Sequence, residues 1–235
     1  MKILVAGQGP MAREQIKLCS ERKINCTHIC EPIDLKSENV PKISSDTVII
    51  HFGTGRLIPY LDELSSRAKI PMIQGSSYEL AIDEMVKCNG SHIVHAPNLC
   101  LPIASTIDLI AEMVVKWKKF TKLEIVESHQ KKKQDVSKTA KVIAKKAGID
   151  ESDIVSFRKE IEQLIFGVPP EFIDGHAYHH FIATADGVKL KLCTEVHGRR
   201  TYADGALKVG QALLDNPNLV DYGITPLTDI IDQLV

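Results

Sequence analysis

The residues best suited to chemistry lie in one stretch, Leu123–Ala147, LEIVESHQKKKQDVSKTAKVIAKKA. His129 and Gln130 are followed there by three lysines, Lys131, Lys132 and Lys133. An imidazole titrates near neutrality and can pass a proton. Ammonium groups attract carboxylates. Ahead of the histidine, Leu123, Ile125 and Val126 read as a strand. Beyond the lysines, Ala140, Ile143, Ala144 and Ala147 share one helix face, and Ser137 is the expected N-cap. The free N–H groups of a helix start are themselves an anion site. Strand, basic loop and helix start together suit a small dianionic substrate that must also receive a proton.

Other uses of the same residue types are weaker. No aromatic interleaves the lysines, so they make a poor base-stacking surface. A formal net charge of -1 over 235 residues argues against a general nucleic-acid binder. His176, His179, His180 and His197 could suggest a metal, but His179 and His180 are neighbours on a strand and point to opposite faces. Cys26 and Cys30 are the one close pair among six scattered cysteines. No metal site is therefore expected, and thiols in a reducing cytoplasm are. No apolar run approaches membrane length and no signal-peptide pattern leads the chain.

The elements that must position the loop begin at the first residues. Lys2–Ala6, KILVA, is a β-run that ends in Gly7-Gln8-Gly9-Pro10-Met11-Ala12, a G-x-G-x-x-A, with a helical pattern after it. Cys26–Cys30 is a second strand, ending at Glu31. Strand, glycine turn, helix, strand and acidic residue form a dinucleotide-binding fingerprint. Further strands are predicted at Asp46–His51, Ile70–Gln74 and His92–His95, with helices at Arg56–Ala68 and Tyr78–Lys87 between them. Alternation of this kind gives a parallel sheet whose ligands bind at the carboxyl ends of the strands. Those ends carry the expected cofactor-binding residues: Gly7, Gly9, Pro10, Met11, Glu31, Phe52, Gly53, Gly75, Ser76, Ala96, Pro97 and Asn98. Any one loop could be an ordinary turn, but five on one edge are harder to dismiss. Glu31 can accept hydrogen bonds from both ribose hydroxyls and repels a 2′-phosphate, and Pro32 offers no neutralising cation. NADH is therefore expected in preference to NADPH, with NADPH possible.

The second half reads differently. Pro102–Lys119 is predicted as one long helix linking two domains. Asp150–Gly167 is mixed and polar. Gly175–Thr184 and Val188–Val196 read as antiparallel strands about a turn at Asp186-Gly187, with Val188, Leu190 and Leu192 alternating with lysines to leave one face wet. Tyr202–Leu214 is helical, and Thr225–Leu234 reads as a last amphipathic helix. The expected fold class is α/β: an N-terminal Rossmann-type parallel-sheet dinucleotide-binding domain, residues 1–100 and 206–235, and a smaller α+β domain for substrate and oligomerisation, residues 101–205.

The run E-S-H-Q-K-K-K-Q-D-V-S-K-T-A at Glu127–Ala140 resembles the signature of dihydrodipicolinate reductases, roughly E-x-H-H-R-H-K-x-D-A-P-S-G-T-A. The Ala96-Pro97-Asn98 loop and the Arg199-x-x-Tyr202-Ala203-x-Gly205-Ala206 run are similar to that family too. The resemblance implies hydride transfer from NADH or NADPH to a cyclic imine bearing two carboxylates, in lysine and diaminopimelate biosynthesis. It assigns catalysis to His129 and Lys133, and substrate binding to Gln130, Ser137, Lys138, Thr139 and Arg199. It also implies a homo-oligomer, a dimer or tetramer. Three departures stand out. Gln130 replaces the second histidine, Lys138 replaces the cradle glycine, and the proline before Ser137 is missing. A relative reducing another carboxylated imine or ketone, or a non-catalytic NAD(P)-binding protein, would keep the same pattern.

Overall fold

The computed structural model of the chain describes residues 1–31, 43–88, 90–131, 133 and 135–234. Pro32, Lys36 and Lys132 lie outside the described residues. In chain order the first part runs β1 (Lys2–Ala6), α1 (Pro10–Glu21), β2 (Asn25–Ile29), β3 (Thr47–His51), α2 (Ile58–Ala68), β4 (Met72–Gln74), α3 (Glu79–Met85), β5 (His92–His95) and α4 (Leu101–Ala104). The middle holds α5 (Ile107–Lys118), β6 (Lys122–His129), α6 (Lys138–Lys146), β7 (Val155–Phe157), α7 (Glu160–Ile165), β8 (His176–Ala185) and β9 (Val188–His197). The tail adds α8 (Arg200–Asp215), β10 (Gly223–Pro226) and α9 (Leu227–Ile230). Two compact units result, Met1–Ala104 with Arg200–Val235, and Ser105–Arg199.

The first unit is a parallel six-stranded sheet in the order β10-β5-β4-β3-β1-β2. Alternate residues of its central strands feed two separate cores, as a sheet covered on both faces requires. Ile3, Val5, Val48 and Ile50 pack with Leu18 of α1 and Ala206 and Leu213 of α8. Leu4, Ala6 and Ile49 pack with Ile58 and Leu61 of α2. The order in which the chain lays down its strands reverses between β1 and β3, the switch point at which such sheets open a ligand crevice. The parallel ladder continues past the strands into the loops. Gly7 N donates to Ile29 O, Phe52 N to Ala6 O, Gly75 N to His51 O and Ala96 N to Gln74 O, at 2.8–3.0 Å. Those four bonds line the loops up on one edge.

The second unit is a mixed four-stranded sheet, β7-β6-β8-β9, with β6 and β7 parallel and the other pairs antiparallel. Ile125 and Phe181 of one face pack with Ile110 and Val114 of α5 and Ala140, Ile143 and Ala144 of α6, the helix face expected from the spacing.

Two sequence expectations change. The single helix over Pro102–Lys119 is broken at Ser105-Thr106 into α4 and α5, where the two units part in sequence. Thr225–Leu234 is not one helix. Gly223–Pro226 pairs in parallel with β5, and α9 and a short 3-10 turn, Ile231–Gln233, follow. Pro226, which has no N–H, tolerates the sheet edge and caps α9. Along β9 one face is wet as expected, with Lys189, Lys191, Cys193 and Glu195 exposed, and the opposite face closes only toward Val196, leaving Val188 50% and Leu190 37% exposed.

Gly205 fixes how α8 sits. A Cβ there would lie 1.9 Å from the Leu99 carbonyl oxygen. Gly205→Ala must push the helix off the β5–α4 loop, and overpacking of this kind costs about 1–3 kcal/mol. Urea denaturation should show a loss of at least that size.

Candidate active site

β6 ends by carrying Glu127 and His129 on the same face, two residues apart. The Glu127 side chain is wholly buried. Its carboxylate accepts from His129 Nδ1 at 2.5 Å, from Ser156 Oγ at 2.5 Å, and from both terminal nitrogens of Arg158 at 2.5 and 3.2 Å. Burial raises the pKa of this carboxyl, but the hydrogen bonds from His129 and Arg158 outweigh it and bring the group down to about 2. An ionised carboxylate only accepts, so Nδ1 of His129 carries the hydrogen and Nε2 is the exchanging nitrogen. Arg158 also donates to the backbone oxygens of Lys133 (2.7 Å) and Asp135 (3.0 Å). The guanidinium that neutralises Glu127 therefore also shapes the basic loop.

Burial lowers the pKa of His129, and the charges of Lys133 and Arg158 add to that, against the opposing pull of Glu127. The balance favours the neutral imidazole in the resting site. Burial likewise lowers Lys133, with Glu127 and Asp135 opposing. Lys133 forms no salt bridge among the described residues. A site held this way is short of negative charge and ready for an anion.

The structure places the remaining expected residues unevenly. Ser137 occupies the N-cap position of α6, but its hydroxyl makes no capping bond. It lies 2.7 Å from Nε2 of His179, whose Nδ1 meets Thr194 Oγ1 at 3.0 Å. The His179 ring stands edge-on to His129, centroids 5.2 Å apart, and burial lowers its pKa to about 3. Ser137 is thus a buried tie between loop and sheet, and the helix-start N–H groups are left without its oxygen. Thr139 is buried and Lys138 is exposed. Arg199 donates to the side-chain oxygen of Gln130 and, at 2.6 Å, to Asp174 O. These two expected substrate groups are therefore engaged with each other. Gly175 leaves room for that guanidinium, since a Cβ there would meet Nη1 at 3.0 Å. Gln163 donates to His129 O at 2.7 Å. Glu127, Ser156, Arg158 and Gln163 carry the site without having been expected in it, and His179 had been weighed only as a metal ligand. Only Glu127 had a readable signal, a carboxylate two residues before a histidine on a strand.

On the first unit, the loops fit a dinucleotide. Gly7 has φ +131°, and a Cβ on it would lie 2.8–2.9 Å from the Phe52–Gly53 backbone. A Cβ on Gly75 would meet the Phe52 ring at 2.5 Å. Gly9 is the N-cap of α1 and offers no capping side chain, with Pro10 at the start of the helix. Gln8 Nε2 donates to Glu31 at 3.2 Å, so the acidic residue lies against the glycine loop. Ser76 is buried, with its N–H held by Gln74 at 2.5 Å. Ala96 is buried and Asn98 turns its oxygen onto Cys100 N at 3.0 Å. Beneath this edge His51 is buried, and burial lowers its pKa to about 4 against the opposing pull of the Gln74 side chain.

A Rossmann-type parallel sheet in one unit and, in the other, a mixed sheet that presents a carboxylate-anchored histidine define a two-unit α/β fold whose first unit is of the dinucleotide-binding type. Comparisons narrow it. A family model described as "Dihydrodipicolinate reductase, C-terminus" matches residues 103–225. Two chloroplastic proteins of Oryza sativa subsp. japonica, named probable 4-hydroxy-tetrahydrodipicolinate reductases 2 and 1, are each 26% identical. The first match covers 72% of this chain and 56% of that protein, the second 94% and 67%. The dipicolinate-bound dihydrodipicolinate reductase of Paenisporosarcina sp. TG-14 shares the fold, with a TM-score of 0.61 over 98% of this chain and 99% of that one at 13% identity. The chain belongs to the dihydrodipicolinate reductase family.

Arg158→Ala should strand the Glu127 charge. Breaking a buried pair typically costs about 3–5 kcal/mol. Guanidinium unfolding should show that loss, and adding Glu127→Gln to the same chain should restore much of it.

Proposed function

We propose that this protein is an NAD(P)H-dependent reductase of a cyclic imine carrying two carboxylates, the reaction of lysine and diaminopimelate biosynthesis that its family's name describes. The observation that supports it most is His129, anchored on buried Glu127 beside Lys133 and the start of α6. Reduction of an imine places hydride on carbon and leaves a nitrogen that needs a proton. Gly7, Gly9, Pro10 and Met11 would hold the pyrophosphate of the nucleotide, Glu31 its ribose, and the Phe52-Gly53, Gly75-Ser76 and Ala96–Asn98 loops its nicotinamide half. The reduced nicotinamide supplies the hydride when bound.

The chain's own residues do the rest. Glu127 holds the tautomer, so the working proton sits on Nε2. The neutral resting His129 becomes an acid when a dianion arrives, because added negative charge raises its pKa. Lys133 gives a fixed positive charge to one carboxylate, and the N–H groups at the start of α6, with Thr139, serve the other. Lys138, exposed beside them, adds charge at the rim. The Arg199–Gln130 bond favours a second reading, a related reductase acting on another carboxylated imine or ketone, since both groups must let go of each other to bind the family substrate. A non-catalytic NAD(P)-binding relative is the third.

A homo-oligomer, dimer or tetramer, fits β9, a ten-residue edge strand with Val188 and Leu190 exposed. A cytoplasmic setting fits six free cysteines. Among the described residues no helix is long and apolar enough to cross a membrane.

NADH oxidation with freshly generated family substrate tests the reading. His129→Ala should lower kcat by about 10²–10⁴-fold with KM little changed, and Lys133→Ala should lower kcat and raise KM. NADH should bind more tightly than NADPH, with Glu31→Ala narrowing the difference. Near-wild-type turnover in both site variants would overturn the assignment. Normal NADH binding without any turnover would favour the second or third reading.

A further inference from the structure

The face of the second sheet opposite α5 and α6 gathers three donors of different chemistry. His180 and Cys193 are directly paired across antiparallel β8 and β9. Glu195 lies two residues further along β9, so it leaves the same face as Cys193. A carboxylate oxygen of Glu195 is 3.2 Å from Nε2 of His180. One ligating atom from each of the three residues lies within 4.8 Å of the other two. The expectation of no metal rested on His179 and His180 pointing apart. They do, and His180 finds its companions on the neighbouring strand.

We propose that His180, Cys193 and Glu195 bind one borderline divalent cation, zinc foremost. Thiolate, imidazole and carboxylate are the three protein ligands zinc takes, and three of them with a water complete a tetrahedron. Calcium and magnesium are excluded by chemistry, since they require oxygen ligands and the trio offers one carboxylate. Bond lengths of about 2.0–2.3 Å set tetrahedral donors roughly 3.3–3.8 Å apart. The trio needs to close by about an ångström from its 4.8 Å limit. The side chains that must move are the free ones. Cys193 is exposed and the Glu195 side chain is 44% exposed. The fixed ligand is buried His180, whose ring packs against Phe166 with centroids 4.1 Å apart. Binding releases the thiol proton of Cys193 and ties the edge strand to its neighbour. An ordinary His180–Glu195 ion pair would account for two of the three groups but gives the thiol no part.

Cobalt(II) titration of the full chain tests this. The Cys26→Ser/Cys30→Ser background is used, because Cys30 lies 3.4 Å from His28 and could compete. One equivalent of cobalt should bring the visible bands of a tetrahedral ion and a near-ultraviolet thiolate charge-transfer band, and zinc should displace both. Cys193→Ser should lose the charge-transfer band with an unchanged circular dichroism spectrum. Glu195→Gln, which keeps the side-chain shape, should weaken cobalt binding. Absence of the band at saturating cobalt, its survival in Cys193→Ser, or unchanged affinity in Glu195→Gln would each overturn the site.

Discussion

A carboxylate with no access to water persists in a protein only when its charge is fully answered. Glu127 is answered by four hydrogen bonds, three of them from Arg158 and His129. Much of the second unit depends on that arrangement. Arg158 reaches from the end of β7 to the carboxylate and on to the carbonyls of Lys133 and Asp135, so the parallel β6–β7 pairing and the basic loop are one construction. The same carboxylate sets the tautomer of His129. One buried side chain thus both ties the sheet to the loop and orients the histidine.

Under the proposed cofactor reading the first unit meets a different demand. Close approach of a large charged ligand needs backbone without side chains, on loops that do not drift. The glycines remove the side chains, and the ladder bonds running past the strand ends fix the loops to one another. Gly7 and Phe52 meet where β1 and β3 diverge, so the crowding that demands a glycine arises at the switch point itself.

Much of this was legible in the sequence because its causes are local. KILVA and DTVIIH read as strands, and their ends were marked by glycines. The α6 face was set by the spacing of Ala140, Ile143 and Ala144. What was not legible depended on partners distant in the chain. Arg158 sat in a segment with no periodicity, 31 residues from Glu127. Ser137 looked like a cap because caps are local, yet its hydroxyl chose His179, 42 residues away. The final strand was hidden because Gly223–Pro226 is too short to show alternation, and its pairing with β5 is what makes it a strand. The Gln130 departure was visible as a substitution, but its bond to Arg199, 69 residues on, was not.

The central claim is that Glu127 presents a neutral, Nε2-exchanging His129 whose charge answers to a bound dianion. Nitrogen-resolved NMR titration of labelled histidines, assigned with His129→Gln, reads tautomer and pKa together. Free protein should show hydrogen on Nδ1 and a pKa below the ordinary 6.5. Dipicolinate should raise that pKa. An Nε2–H tautomer in the free protein, or a His129 pKa that saturating dipicolinate leaves unmoved, would contradict the account.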